Sequence, residues 1–160
     1  MKQGRFLVIG LAVLGLMVFS FMPLQPFHSP AALAQSRIRS RDLWRLVYEQ
    51  LPDFPLENDY VSTLTGEVNP DNTLVERLIR YHLYVKKRTP LYRLDWKLTL
   101  ADYLGANEIM YEESYPSADV LTENPFKRDR QAVENLTRSQ RDALIDVLVS
   151  LYNPQNPQRD

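Results

Sequence analysis

The sequence predicts a mainly α-helical fold, a small bundle of four to five helices with two long packed loops, after an N-terminal signal segment. Three observations carry this reading. Apolar residues recur at helical spacing in several separate stretches. Thr73-Leu-Val-Glu76 and Thr137-Arg-Ser-Gln140 each have the spacing of a capping box, in which a Thr and a Glu or Gln three residues on satisfy the first free N–H groups of a helix. Gly105 follows an apolar stretch where a chain leaves a helix in the left-handed conformation.

The chain begins with Lys2 and Arg5, then an apolar run from Phe6 to Phe21, then Pro23, Pro26 and Pro30, then Ala32-Leu33-Ala34. A positive start, an apolar centre and a small-x-small site make a secretory signal. Cleavage after Ala34 removes residues 1–34 and leaves 35–160 as a single domain, 126 of the 160 residues. The alternative is an uncleaved N-terminal membrane anchor, which needs roughly 20 apolar residues. There is no Cys, so disulfides, thiolate metal sites and Cys nucleophiles are excluded. An exported chain without them depends on its hydrophobic core. Without Lys2 and Arg5, 17 basic residues face 20 acidic ones, a net charge of −3. Nucleic-acid binders usually carry a basic excess, so none is expected as a partner.

Along the mature chain, 35–40 reads as a flexible polar start. Ser40 suits the N-cap of a first helix over 41–51, with Leu43, Trp44, Val47 and Leu51 as its stripe and Pro52 as its stop. The turn-rich stretch 52–72 is expected to pack across the helices through Phe54, Leu56, Tyr60, Val61 and Leu64, with a possible short strand at 60–64. A second helix runs from Thr73 to about Arg88, with Leu74, Leu78, Tyr81 and Val85 on one face and Lys86, Lys87 and Arg88 in its last turn. Thr89-Pro90 breaks the chain. Asp95 can cap a third helix whose face is Leu94, Leu98, Ala101 and Tyr103-Leu104, with Trp96 and Leu100 beside it. The stretch 108–124 reads as irregular, and 129–136 as a short helix. Arg138 to Tyr152 is the last helix, with Ala143, Leu144, Val147, Leu148 and Leu151 inward and Asn153-Pro154 as the stop.

The chemistry is sparse. His82, the one histidine after the signal, sits on an apolar helix face, and no Gly-x-Ser-x-Gly elbow exists to supply a nucleophile. It reads as a core or boundary histidine. Glu108, Glu112, Glu113, Asp119 and Glu123 could supply oxygen ligands, but no Asp-x-Asp-x-Asp-Gly loop accompanies them, so a solvated acidic loop is expected. No metal and no cofactor is expected. Arg and Lys interleave with Tyr and Trp between 77 and 97. If Leu74, Leu78 and Val85 face the core, Arg77, Arg80, Tyr84 and Lys87 share the other side of the helix. Arg and Tyr are common interface anchors, so these four are the expected protein-contact residues. Contact with an anionic membrane surface fits the same charges.

LTRSQRDALIDVLVSL (136–151) looks like the closing helix of c-type cytochromes, a shared capping-box pattern, and the absence of Cys-x-x-Cys-His rules out covalent haem. LIRYHLYVKKRTP (78–90) followed by RLDWKLTLADYLGANE (93–108) resembles uncharacterised exported proteins of cyanobacteria. That resemblance implies residence in the thylakoid lumen or periplasm and implies no activity. The functional expectation is an exported accessory or assembly protein acting through protein contacts. The alternative is a carboxylate-dependent hydrolase in the same compartment.

Overall fold

The computed structural model describes residues 42–153. The expected signal segment, the polar start and the Ser40 cap lie outside the described residues. Among the described residues the fold is helical, with five α-helices: α1 (Leu43–Gln50), α2 (Leu74–Arg80), α3 (Arg93–Tyr103), α4 (Phe126–Asn135) and α5 (Arg138–Tyr152). A π-helical turn, Tyr81–Val85, continues α2, and a single 3₁₀ turn spans Glu112–Ser114. No described helix is long and apolar enough to cross a membrane.

α5 packs on α1 and α3, α1 on α2, and α3 on α4. Leu43, Val47, Leu74, Leu78, Trp96, Leu100, Tyr103, Val133, Leu144 and Leu148 meet in one core. α5 has the expected bounds for a local reason. Thr137 Oγ1 accepts from Gln140 N, and Gln140 Oε1 accepts from Thr137 N, a complete capping box. At Thr73 the hydroxyl accepts from Glu76 N, which starts α2. Past the end of α3, Gly105 (φ +69) donates its N–H to Asp102 O and Ala106 donates to Ala101 O. This paired closure needs the left-handed residue that Gly supplies without a Cβ penalty.

Several boundaries differ from expectation. α1 starts at Leu43 with Asp42 as N-cap residue, and the Asp42 carboxylate bonds Arg45 rather than the backbone. α4 starts three residues early, at Phe126, whose N–H is taken by Asn124 Oδ1. α3 begins at Arg93, so Asp95 lies in its first turn and is not its cap. Leu94 is 66 % exposed, while Trp96 is fully buried. The inward face of α3 is therefore Trp96, Leu100 and Tyr103: Tyr103 is buried as expected, while Trp96 and Leu100 take the place expected of Leu94 and Leu104.

The second helix ends at Val85, not Arg88, because it widens into the π turn with Lys86 N bonded to Tyr81 O. Lys87 follows with φ +52. Lys86 and Arg88 therefore do not answer a helix end. They pair instead with Glu108, and Arg88 also with Asp102.

The two long loops meet each other. Tyr60–Leu64 forms no strand, but Val61 and Ser62 make isolated antiparallel bridges to Val68 and Leu121. Thr63 N donates to Val120 O, and Thr122 N donates to Val61 O. Phe54 and Tyr60 are buried as expected, whereas Leu56 and Leu64 are exposed. Tyr48 of α1 pins the first loop by donating to Pro55 O, and Leu74 N donates to Leu56 O.

The Thr137 cap yields a direct test. Thr137→Ala removes the acceptor for Gln140 N and should cost about 1 kcal/mol of stability. Urea unfolding should show a lower midpoint with an unchanged slope. An unchanged midpoint would show that α5 does not depend on its cap.

Candidate functional site

Arg77 departs most from expectation. The i, i+3, i+4 spacing groups it with Arg80 and Tyr84 on an outer face, yet it is fully buried. Its Nε and Nη2 donate to Asp129 Oδ2 and Oδ1 at 2.6 and 2.7 Å, a two-pronged ion pair with α4. Nη1 donates to the carbonyl and the side-chain oxygen of Asn72, and Nη2 to Glu57 O at 2.7 Å. All five N–H groups of the guanidinium are used. Asp129 also accepts from Tyr115 Oη at 2.5 Å, and Tyr115 exchanges a hydrogen bond with Tyr103 at 2.8 Å. Burial pushes both phenols well above their usual pKa. Burying two charges is costly unless each is fully bonded, and here they are. Arg77 is an internal clasp and not a contact residue. Its position carried a signal: Leu74, Arg77, Leu78 and Tyr81 follow i, i+3, i+4, i+7, so Arg77 lies inside the apolar stripe.

Arg80 and Tyr84 reach a different setting. They line a cleft of about 780 Å³ between α2 with its π turn and the second long loop. Glu76, Ile79 and Val85 complete the helical wall, and Glu113, Ser114, Tyr115, Pro116, Ser117 and Asp119 form the loop wall. Arg80 Nη1 donates to Ser117 Oγ at 2.9 Å and lies 3.7 Å from Glu76 Oε2. Ser117 Oγ also accepts from Asn72 Nδ2 at 2.8 Å. Ser117 is buried with φ +71, a conformation that costs a non-glycine residue of order 1 kcal/mol and requires such anchoring. The loop wall is thus tied through Asn72 to the Arg77 clasp. Lys87 is exposed but does not line the cleft.

The expected acidic loop divides by role. Glu108 binds Lys86 at 2.8 Å and Arg88 at 2.9 Å, and these cations hold its carboxyl below the usual range. Glu112 lies 3.7 Å from Lys127. Glu113 and Asp119 face the cleft, and among the described residues neither has an ion-pair partner. Glu123 lies outside it. Among the described residues no three His, Cys, Asp or Glu side chains converge to hold a metal ion.

His82 is fully buried and stacks on Trp96 with ring centroids 3.6 Å apart. Its Nε2 lies 3.1 Å from Thr89 O, an acceptor only, so Nε2 carries the proton. Nδ1 then accepts from the Thr99 hydroxyl at 2.8 Å, and Thr99 Oγ1 in turn accepts from Arg88 Nη1 at 3.0 Å. A hydroxyl against an imidazole is the contact of an activated nucleophile. Here both side chains are fully buried, so no substrate reaches them. Beside them, burial pushes the Asp102 carboxyl up, but Arg88, the Glu108 N–H and the Asn107 amide together hold it below the usual range.

No protein-family model, curated protein or solved structure matches the chain.

Burial lowers the His82 pKa from 6.5 to about 4, opposed by the bond to Thr89 O and assisted by Arg88. Between those values the unfolded chain binds a proton that the folded chain does not. Stability is fully present above pH 6.5, falls as pH drops toward 4, and levels off below. At 1.36 kcal/mol per unit the loss is on the order of 3 kcal/mol. Denaturant unfolding across this range checks it, with His82→Phe as the variant whose profile should flatten. A wild-type profile flat between pH 7 and 4 would contradict the buried neutral ring.

Proposed function

We propose that this is an exported accessory or assembly protein of the thylakoid lumen or periplasm, acting through protein contacts at the cleft beside α2. The observation that carries the reading is how polar chemistry is distributed. The two buried networks, Arg77–Asp129 and Arg88–Asp102 with His82, have their groups bonded to one another inside the protein. The large concavity instead presents Arg80 and Tyr84, residue types that anchor binding interfaces, above an apolar floor at Ile79. Tyr84 is 65 % exposed and brings a rigid ring with few rotors to lose on contact. The Arg80–Ser117 bond holds the cleft wall in shape before a partner arrives, which lowers the ordering cost of binding.

The second reading, a carboxylate-dependent hydrolase, draws on the same cleft. Its volume lies within the usual range for small-molecule sites, and Glu113 and Asp119 line it. That reading requires turnover of a chromogenic ester or glycoside, lost in Glu113→Gln and Asp119→Asn.

The contact reading is tested at Tyr84. Tyr84→Ala should shift stability by less than about 0.5 kcal/mol, as exposed substitutions usually do. In the native membrane fraction, the same change should reduce chemical cross-linking of the tagged protein to its neighbours several-fold. A stable variant that cross-links as well as the parent places the contact surface elsewhere.

A further inference from the structure

We propose that the occupant of the cleft is an extended cationic segment of a partner protein, with one aliphatic or aromatic side chain seated against Ile79 and Pro116. The proposal rests on the cleft being the contact surface and adds the chemistry of what fills it. Three carboxylates, Glu76, Glu113 and Asp119, line the walls against one cation, Arg80. Arg80 is already engaged by Ser117 Oγ and lies near Glu76. Many acids of the described surface meet cations: Glu108 pairs with Lys86 and Arg88, Glu57 and Asp59 with Arg128, Asp71 with Arg45, and Asp146 with Arg93. Of the acids that make no ion pair among the described residues, Glu113 and Asp119 are the ones that line this cleft.

A point cation does not fit this arrangement, because no three acidic groups of the described residues converge on one position. Separated carboxylates around an apolar floor match Lys or Arg side chains spaced along a chain, with an apolar side chain between them. Of the lining side chains, Ile79 is 3 % exposed and Tyr84 is largely exposed. A second groove has the opposite charge balance. This groove of about 280 Å³ between α3 and α5 carries Lys97, Arg138 and Arg141 against Asp142, and it serves as the internal control.

The test is selection from a random nonapeptide display library against the immobilised full chain in detergent, at low salt. The selected peptides should carry two or three Lys or Arg residues flanking one large apolar residue. The best of them, labelled and titrated in solution, should bind at least tenfold more weakly to the Glu113→Gln/Asp119→Asn double variant and with unchanged affinity to Arg138→Ala. Affinity should fall as salt rises, since exposed charges are screened. Neutral or acidic selected peptides overturn the proposal, as does a cationic peptide that binds the double variant equally well. Tighter peptide binding after Arg37, Arg39 and Arg41 are changed together to Ser also overturns it, since the chain's own basic segment would then be the occupant. If the peptides fail while Tyr84→Ala still abolishes cross-linking to a neighbour, the contact surface stands and the cationic occupant does not. If both fail, the contact surface itself is wrong.

Discussion

The buried pair between Arg77 and Asp129 is the constraint on which the rest of the structure depends. A guanidinium with no solvent access must have every N–H accepted, and the five acceptors come from three residues far apart in the chain. Asn72 and Glu57 belong to the first long loop, Asp129 to α4, and Arg77 itself to α2. Tyr115, on the second loop, joins through Asp129. One side chain thereby fixes both loops against two helices. Without it, the two loops would keep only bonds that each tie one loop to one neighbour, such as Tyr48 to Pro55 O and Arg80 to Ser117 Oγ.

The same clasp shapes the cleft. Asn72 accepts from Arg77 and donates to Ser117, and Ser117 accepts from Arg80. The strained backbone at Ser117 is held by these bonds, and the loop wall stands where it does because of them. The second network, Arg88 with Asp102 and Glu108, does comparable work on the other side of the π turn. It fastens the chain after the turn to the end of α3 and closes over His82. Paired polar groups thus supply here the kind of loop ordering that disulfides supply in other small domains.

Local signals were legible in the sequence, and tertiary ones were not. α5 could be read to the residue because a capping box opens it and Asn153-Pro154 closes it. Gly105 could be placed because only a left-handed residue completes that helix end. The π turn could not be read, since one extra residue in a helical turn leaves the apolar spacing nearly unchanged. It carries Lys86 to Arg88 out of the helix. The face of α3 was read through Leu94, whereas Trp96 turns inward because it stacks on His82, a partner from another helix that spacing does not show. Arg77 looked exposed because it is charged, although its position lay within the apolar stripe. Of the four expected contact residues, Arg80 and Tyr84 line the cleft and Arg77 and Lys87 do not. The opposing wall comes from residues 113–119, a pairing that periodicity cannot reveal.

The account stands on the claim that Arg77 and Asp129 act as one unit. A double-mutant cycle of Arg77→Met and Asp129→Leu, followed by urea unfolding at pH 7, measures it. Each single change strands a buried charge and should cost about 3–5 kcal/mol, while the double change should cost clearly less than the two together. Losses that simply add, or a single change costing under about 1 kcal/mol, would contradict the claim that this pair organises the fold.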